Sequence, residues 1–247
     1  MKKAVHTLVN FTPNKPTVSP MIEYLQHGRV RLALHQMQSA THPVACQPLL
    51  LLHGLGECAS AHHPPSFSHW PGYVYALDFT GHGQSSIPLG GGYSCESLMG
   101  DVDIALAHIG PATVCGRGLG AYITLLIAGG RPDLVRGAVL LDGPGLAGTC
   151  PSSSPYIPPV NTHLAAPPDP FAIAELATDT RPAEYAAHFA LLASQNSPLP
   201  NPIAICTREQ PPWLIAVRDV LACDFPNPLD ACRQFANFNS GAGATHP

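Results

Sequence analysis

Charged side chains are scarce in this 247-residue chain. Asp, Glu, Lys and Arg together make up 11% of its residues, whereas an average soluble domain carries about 25%. The 12 basic and 16 acidic residues leave a net charge of −4, so no basic excess is present to bind phosphate groups. We therefore expect neither nucleic acid nor a membrane as a partner, and the composition leaves the oligomeric state open.

Long uninterrupted apolar runs are also missing. No run approaches the roughly 20 residues that a helix needs to cross a bilayer. The N-terminal segment contains two lysines, but His6, Thr7 and Asn10 interrupt its apolar part, which is not typical of a signal peptide. These absences predict a cytoplasmic protein.

The eight cysteines form no CxxC pair and have no spacing to histidine that is typical of a metal site. Most of them lie inside apolar segments, where a cysteine behaves as a small buried hydrophobic residue. We therefore expect free thiols, and neither disulfides nor a bound metal ion.

What the chain does contain is an alternation of short apolar segments with helical patterns. Continuous apolar runs are typical of parallel strands covered on both faces. They predict strands at Arg29–Met37, Pro48–Leu52, Tyr73–Leu77, Thr113–Cys115, Ala138–Leu141, Pro202–Cys206 and Leu221–Phe225. Apolar residues at helical spacing, or a proline suited to a first turn, predict helices within 95–110, 120–130 and 181–195 and near Pro212 and Pro228. This alternation predicts an α/β fold with a doubly wound, mostly parallel sheet.

The length fits a single domain over residues 1–247. Residues 143–180 interrupt the alternation, because they are rich in proline, serine and glycine and show no period. We interpret about 143–200 as a small cap or lid inserted into the domain, which begins as a loop and ends in a helix.

Three glycine-containing turns follow predicted strands. The first is His53-Gly54 within LLLLHGLGECAS, the second follows Asp78 and reads GHG at 81–83, and the third is the GRGLG sequence at 116–120. Each turn alone is a weak signal, but their order and spacing along the chain are specific.

Together the three turns resemble the α/β-hydrolase superfamily over about residues 22–225. The resemblance implies an α/β-hydrolase fold and a nucleophile elbow centred on Gly118. It also implies an oxyanion hole formed by the backbone amides of Leu55 and Leu119. His53, Gly54 and Arg117 would line the pocket beside that hole.

The catalytic groups that the resemblance requires are not in their places. Gly118 stands at the nucleophile position and has no side chain. Between residues 189 and 245 there is no histidine, and His246 lies past the last predicted helix. The acid position falls on Asp142 or on Glu209, and the sequence does not choose between them. Hydrolysis by a serine, a histidine and an acid is therefore not expected.

Residues near the elbow offer few substitutes for these groups. We interpret Cys115 as a buried core thiol, because it lies within a predicted strand. His53 and His82 are interpreted as structural residues. Arg117 fits a solvated or salt-bridged position, with a ligand role as the alternative.

Three functional hypotheses remain. The first is a pseudoenzyme that keeps a capped pocket for a small apolar ligand or a partner. The second is an active hydrolase or lyase of non-standard mechanism that uses Asp142 or Glu209. The third is dinucleotide binding, because Gly116, Gly118 and Ala121 match the glycine fingerprint after a strand, with an acid roughly 20 residues further on. The first two need no cofactor, and we expect none.

Overall fold

The computed structural model describes residues 21–40, 46–59, 67, 70–146, 167–177 and 181–241, with residues 237–241 described by their backbone alone. Strands and helices alternate along these residues. The strands are β1 (Met21–His27), β2 (Val30–Gln38), β3 (Leu49–Leu52), β4 (Val74–Leu77), β5 (Ala112–Arg117), β6 (Val135–Leu141) and β7 (Ile203–Cys206). The helices are α1 (Cys95–Ile109), α2 (Leu119–Gly130), α3 (Pro170–Ala177), α4 (Ala183–Asn196), α5 (Pro212–Val220) and α6 (Pro228–Gly241).

The strands form one sheet in the order β1-β2-β4-β3-β5-β6-β7. The β1–β2 and β2–β4 pairs are antiparallel, whereas every pair from β4 to β7 is parallel. The predicted strand at Leu221–Phe225 contributes only an isolated parallel bridge between Ile205 and Asp224. The predicted α/β-hydrolase fold, with a mostly parallel sheet and flanking helices, is confirmed.

Two described elements have no counterpart in the sequence prediction. β1 was not predicted because its side chains are exposed or half-buried in turn and form no apolar run. α3 lies within the proline-rich stretch at 143–180, which was predicted to be a loop. Its buried residues Ala172 and Leu176 nevertheless lie four apart on one face of a helix.

Apolar side chains cover both faces of the sheet. The larger cluster joins one face to α1, α2, α4 and α5 and includes Leu50, Val114 and Ile123. The smaller cluster joins the other face to α6 and includes Cys115 and Phe235. Helix α2 is buried along nearly its whole length, as a central helix between neighbouring layers must be.

Helix α4 belongs to the helical layer. Its residues Ala186, Ala190 and Ala193 are buried in the larger cluster, and Phe189 packs its backbone closely against Gly129 of α2. Helix α4 lies in the region that we interpreted as a cap, but it packs against the helices that flank the sheet.

Two further predictions, free thiols and the lack of a membrane-spanning helix, can be compared with the described residues. Seven of the eight cysteines are described, and all seven are free, while Cys150 lies outside the described residues. Among these residues, no helix is both long enough and apolar enough to cross a membrane.

The parallel strands place their carboxyl ends at one edge of the sheet. β3 ends before His53, β4 before Asp78, β5 at the elbow, and β6 before Asp142. In open α/β sheets, ligands bind outside this edge, so the candidate site lies there.

Candidate active site

The turn between β5 and α2 is built around Gly118. Its φ of 58° and ψ of −125° lie in a region that residues with a side chain rarely adopt. The Gly118 amide donates to the Leu141 carbonyl at 3.0 Å. Gly120, two residues later, lies so close to β3 that a Cβ there would be 2.6 Å from the His53 carbonyl oxygen. The chain thus forms the tight strand-to-helix turn of a nucleophile elbow.

The volume in which a nucleophilic side chain would lie is already filled. A Cβ atom added to Gly118 would overlap the Pro144 carbonyl oxygen. It would also lie 2.6 Å from the Gly143 carbonyl carbon and 2.7 Å from that of Pro144. These atoms are backbone and cannot move aside as a flexible side chain could.

The two amides of the expected oxyanion hole converge on one oxygen atom, which belongs to the protein itself. The Leu55 amide donates to the Pro144 carbonyl at 3.0 Å, and the Leu119 amide donates to the same oxygen at 2.8 Å. Leu55 comes from the loop after β3 and Leu119 is the first residue of α2. An oxygen held by two such amides occupies the position that a reacting carbonyl would need.

The segment Asp142–Leu146, which contains Pro144, is fixed by contacts beyond this oxygen. The Trp213 indole Nε1 donates to the Leu146 carbonyl at 2.8 Å, and Leu146 is buried. Gly145 has a φ of 79°, and a Cβ there would lie 2.7 Å from the Leu55 Cβ. Pro144 is the residue of this site that sequence reasoning missed. Its only sequence signal was a Gly-Pro-Gly run directly after a strand.

The two candidate acids lie side by side. The Asp142 carboxylate accepts the Arg208 amide at 3.0 and 2.9 Å and the Glu209 amide at 3.1 Å. Glu209 is exposed. Asp142 therefore clamps the start of the β7–α5 loop to the end of β6, and this backbone contact is the role that its geometry supports.

His53 and His82 link the loop after β3 to the loop after β4. The Phe79 amide donates to His53 Nε2 at 3.1 Å, so Nδ1 carries the proton and donates to the Gly54 carbonyl at 2.8 Å. In His82, Nε2 accepts the Gly56 amide at 3.3 Å and Nδ1 donates to the Thr80 carbonyl at 3.2 Å.

Both imidazoles are neutral in this arrangement. Burial lowers the pKa of His53 and lowers the pKa of His82 to about 3. Their ring nitrogens are engaged by backbone groups, so the geometry supports the structural interpretation of both residues.

Arg117 pairs with Glu57, which accepts the guanidinium on Oε1. The other carboxylate oxygen, Oε2, accepts the Gly54 amide at 2.9 Å. Arg117 is about half exposed. The pair therefore ties the elbow to the loop that carries Leu55, in agreement with the salt-bridged interpretation of Arg117.

Asp78 is a buried carboxylate at this edge. It contacts His35 Nε2 at 2.8 Å and accepts the Ala59 amide at 2.6 Å and the Gln84 amide at 2.9 Å. Burial opposes its ionisation, but the His35 contact, the nearby His53 and the two amides together lower the pKa of Asp78. Asp78 thus organises the loop after β4.

The remaining candidates take no part in the described centre. Cys115 is buried within β5, and burial raises its pKa well above the ordinary value, which makes it a poor nucleophile. Residues 207–241 contain no histidine, and His246 lies outside the described residues. Among the described residues, no three or more His, Cys, Asp or Glu side chains form a group that could hold a metal ion.

The turn that matched a dinucleotide fingerprint has its amides engaged. The Gly118 amide donates to Leu141, the Leu119 amide donates to Pro144, and the Ala121 amide donates back to Gly118. A pyrophosphate would need amides of this kind. The geometry therefore gives this hypothesis no support.

Comparison with known proteins places this site in a family context. The sequence model described as the Alpha/beta hydrolase family matches residues 49–240. The (E)-2-((N-methylformamido)methylene)succinate hydrolase of Acinetobacter baylyi is 35% identical over 106 residues, which cover 39% of this chain and 38% of that protein. This chain thus spans about two fifths of that curated relative.

Solved structures resemble the chain over most of its length. The thioesterase domain from the curacin biosynthetic pathway has a TM-score of 0.59 at 15% identity and covers 90% of this chain and 99% of its own. A hypothetical protein from Pseudomonas aeruginosa PAO1 has a TM-score of 0.56 at 17% identity, with 92% and 100% covered. At such low identity these likenesses show the fold alone.

Proposed function

The chain belongs to the alpha/beta hydrolase family, and we propose that it is a non-hydrolytic member, which binds an apolar ligand or a partner instead of cleaving a bond. The observation that carries this proposal is the filled volume beside Gly118. The residue supplies no attacking atom, and the Gly143–Pro144 backbone leaves no room for one.

The contacts of the neighbouring groups support the same proposal. The Leu55 and Leu119 amides, which would stabilise an oxyanion, are occupied by the Pro144 carbonyl. The Asp142 carboxylate accepts backbone amides of Arg208 and Glu209. Acyl transfer needs a nucleophile, a base and a free oxyanion hole together. The filled volume at Gly118 and the occupied amides of Leu55 and Leu119 support the absence of the first and the third.

Similarity to a hydrolase does not oppose the proposal. The Acinetobacter baylyi enzyme shares less than half of its length with this chain, so its reaction is a property of that protein. One fold also hosts many functions, and function depends on the site.

The carboxyl edge of the sheet offers an apolar surface for binding. Ile87, Leu89 and Phe171 are exposed there. The first two lie in the loop after β4, and Phe171 lies on α3 one turn before Glu175, whose carboxylate accepts the Gly92 amide at 2.8 Å. This contact joins α3 to the loop after β4, and exposed apolar side chains near a ligand-binding edge are typical of an interaction surface.

Turnover of short-chain aryl esters by the purified native chain tests the absence of hydrolysis. We expect no rate above the uncatalysed reaction. Asp142→Asn and the surface control Asp219→Asn, on an exposed residue of α5, should both leave that result unchanged. Turnover that Asp142→Asn abolishes and Asp219→Asn preserves would instead establish an enzyme of non-standard mechanism.

Thermal unfolding in the presence of decanol tests binding of a small apolar ligand. A ligand at 100 times its Kd stabilises the folded state by about 2.7 kcal/mol, which is measurable as a rise in Tm. We expect Phe171→Ser to reduce that rise. If Tm does not rise at any decanol concentration up to saturation, binding of a small apolar ligand is refuted. The proposal is then restricted to binding of a partner.

A further inference from the structure

We infer that the chain forms a dimer in which β1 pairs with β1 of a second copy, antiparallel and about a two-fold axis at Tyr24. The two sheets then continue into each other through main-chain hydrogen bonds. The inference goes beyond the proposed function, because no residue of the elbow takes part in the contact.

The register of the β1–β2 pair shows which residues of β1 direct their main-chain groups outward. The Arg31 and Ala33 amides of β2 donate to serine hydroxyls in the loop after β4, on the side of β2 away from β1. Gln26 lies opposite Arg31, and Tyr24 lies opposite Ala33. Opposite residues of an antiparallel pair either bond to each other or both point away. Gln26 and Tyr24 therefore point outward, and so does Ile22, two residues before Tyr24.

No described segment covers this outer side of β1. β1 stands at the end of the sheet order, and within the described part of the chain no main-chain hydrogen bond from another segment reaches its three outward residues. The other end of the sheet differs, because β7 has only four residues and the Phe225 amide donates to its Ile205 carbonyl at 2.8 Å. β1 also has no lysine, proline or bulge, which commonly protect an edge strand from pairing. Its outer side is therefore open to another strand.

The side chains of β1 add apolar surface beside these main-chain groups. Met21 is 56% exposed and Tyr24 is 46% exposed. The Tyr24 hydroxyl donates to Gln84 Oε1 at 3.2 Å, and the Cζ atom of Arg31 lies 4.3 Å from the centre of the ring. The ring is thus held in one orientation before a partner binds, which lowers the entropy cost of an interface.

The sequence of β1 is self-complementary about Tyr24. In this register the two Tyr24 residues lie opposite each other, and Ile22 lies opposite Gln26 of the second copy. All three outward residues of each copy then form hydrogen-bonded pairs. Glu23 lies opposite Leu25 of the second copy, so no two like charges are directly opposite.

Neighbouring registers fit less well. An axis at Glu23 would place the two Glu23 carboxylates opposite each other, which is destabilising. An axis at Leu25 would place Ile22 opposite the turn residue Gly28, where the ladder of the second copy has ended. A foreign strand could also bond to the outward groups, but a second copy supplies a matched strand in a fixed register. Two-fold pairing of one surface with itself is also the commonest symmetry of soluble oligomers.

Sedimentation velocity of the native full chain over a range of concentrations tests the inference. We expect a sedimentation coefficient that rises with concentration from that of a monomer toward that of a dimer. A chain that stays monomeric at every concentration would overturn the inference. It would show that the outer side of β1 is unused or is covered by another segment of the same chain.

Two substitutions of Tyr24 separate the main-chain contact from the side chain. Tyr24→Pro and Tyr24→Thr both lose the ring and its contacts, but only proline lacks the amide hydrogen. Because this amide points outward, proline leaves the β1–β2 ladder in place. We expect the dissociation constant of the dimer to be larger by about tenfold or more for Tyr24→Pro than for Tyr24→Thr. Equal constants would mean that the dimer forms through another surface, which would overturn the inference.

Cross-linking tests the register and does not depend on whether the proline variant folds. Opposite residues of a hydrogen-bonded pair have Cα atoms about 5.5 Å apart, within reach of a disulfide. With diamide as the oxidant, Tyr24→Cys should give a covalent dimer on a non-reducing gel. Ile22→Cys should give no more than the native chain, because Ile22 lies about 13 Å along the strand from its own counterpart. The native chain controls for its free thiols, and equal cross-linking of both variants would contradict the axis at Tyr24.

Discussion

At the scale of single residues, the elbow shows how glycine permits close packing of backbone. Gly118 adopts a φ of 58° with a ψ of −125°, and a residue with a side chain in such a region costs about 1–3 kcal/mol. The Pro144 carbonyl then lies where the side chain would be. A side chain at residue 118 and the present position of the Pro144 carbonyl therefore exclude each other.

Two glycines of α2 give a matched prediction. A Cβ on Gly120 would lie 2.6 Å from the backbone oxygen of His53, whereas a Cβ on Gly130 would lie 2.5 Å from the flexible end of Met99. We expect Gly120→Ala to destabilise the fold by at least ~2 kcal/mol, because the backbone of β3 cannot move aside. Gly130→Ala should change stability by no more than ~1 kcal/mol. Urea unfolding measures both, and equal losses would contradict the account.

If the Asp142 carboxylate has a structural role, its replacement should lower the stability of the fold. Asn in its place keeps one acceptor oxygen and loses the charge that strengthens bonds to the Arg208 and Glu209 amides. We expect Asp142→Asn to lower the free energy of unfolding by about 1 kcal/mol. Chemical denaturation with Asp219→Asn as the control checks this. An unchanged stability would mean that the clamp contributes nothing.

At the scale of elements, the loops after β3 and β4 are joined through two neutral histidines. His82 has a pKa of about 3 in the folded chain against an ordinary value of 6.5, and the pKa of His53 is also lowered. The unfolded chain therefore takes up protons as the pH falls below 6.5 while the folded chain does not. Stability is retained above the unfolded pKa and is lost on acidification.

For His82 this linkage predicts a loss of about 2 kcal/mol between pH 7 and pH 5, and the lowered pKa of His53 adds a loss of the same sign. His82→Gln should reduce the pH dependence by about its own 2 kcal/mol. His188→Gln, at an exposed position of α4, should leave it unchanged. Urea unfolding across this pH range measures the slope, and a native stability that does not fall toward pH 5 would contradict the neutral assignments. Asp78, Glu57, His35 and Asp169 are the charged or titratable neighbours that share this region.

Among the strands, those with continuous apolar runs were predicted most closely. β3 and β7 match the predicted strands to within a residue because each is a buried apolar run. β1 was missed since an edge strand with alternating exposure carries no such run. α3 was missed because it directly follows a proline-rich stretch. Its buried residues Ala172 and Leu176 repeat the helical spacing only once.

The candidate site was predicted in part, and the limit has a physical cause. The resemblance to the α/β-hydrolase superfamily implied that the Leu55 and Leu119 amides would converge as an oxyanion hole. No local pattern, however, says which oxygen atom they bind. That acceptor, Pro144, comes from a segment beyond the next strand, so it depends on tertiary packing. The partner of Arg117 is likewise a distant residue, Glu57.

At the scale of the whole molecule, apolar packing holds the family fold together. Apolar clusters cover both faces of the sheet, and none of them depends on a catalytic side chain. Burial of these apolar side chains therefore stabilises the fold whether or not the protein catalyses a reaction. The binding surface that we propose is the carboxyl edge, near which Ile87, Leu89 and Phe171 are exposed.

The central claim is that the position of the attacking group is closed by the protein's own backbone. Incubation of the native chain and of Gly118→Ser with a fluorophosphonate, followed by mass measurement of the intact protein, tests it most directly. We predict no covalent adduct on either protein, since a hydroxyl at residue 118 would meet the Pro144 carbonyl, and the ring nitrogens of the described His53 and His82 are engaged by backbone groups. A stoichiometric adduct on the native chain, or one at residue 118 of the variant, would contradict the account.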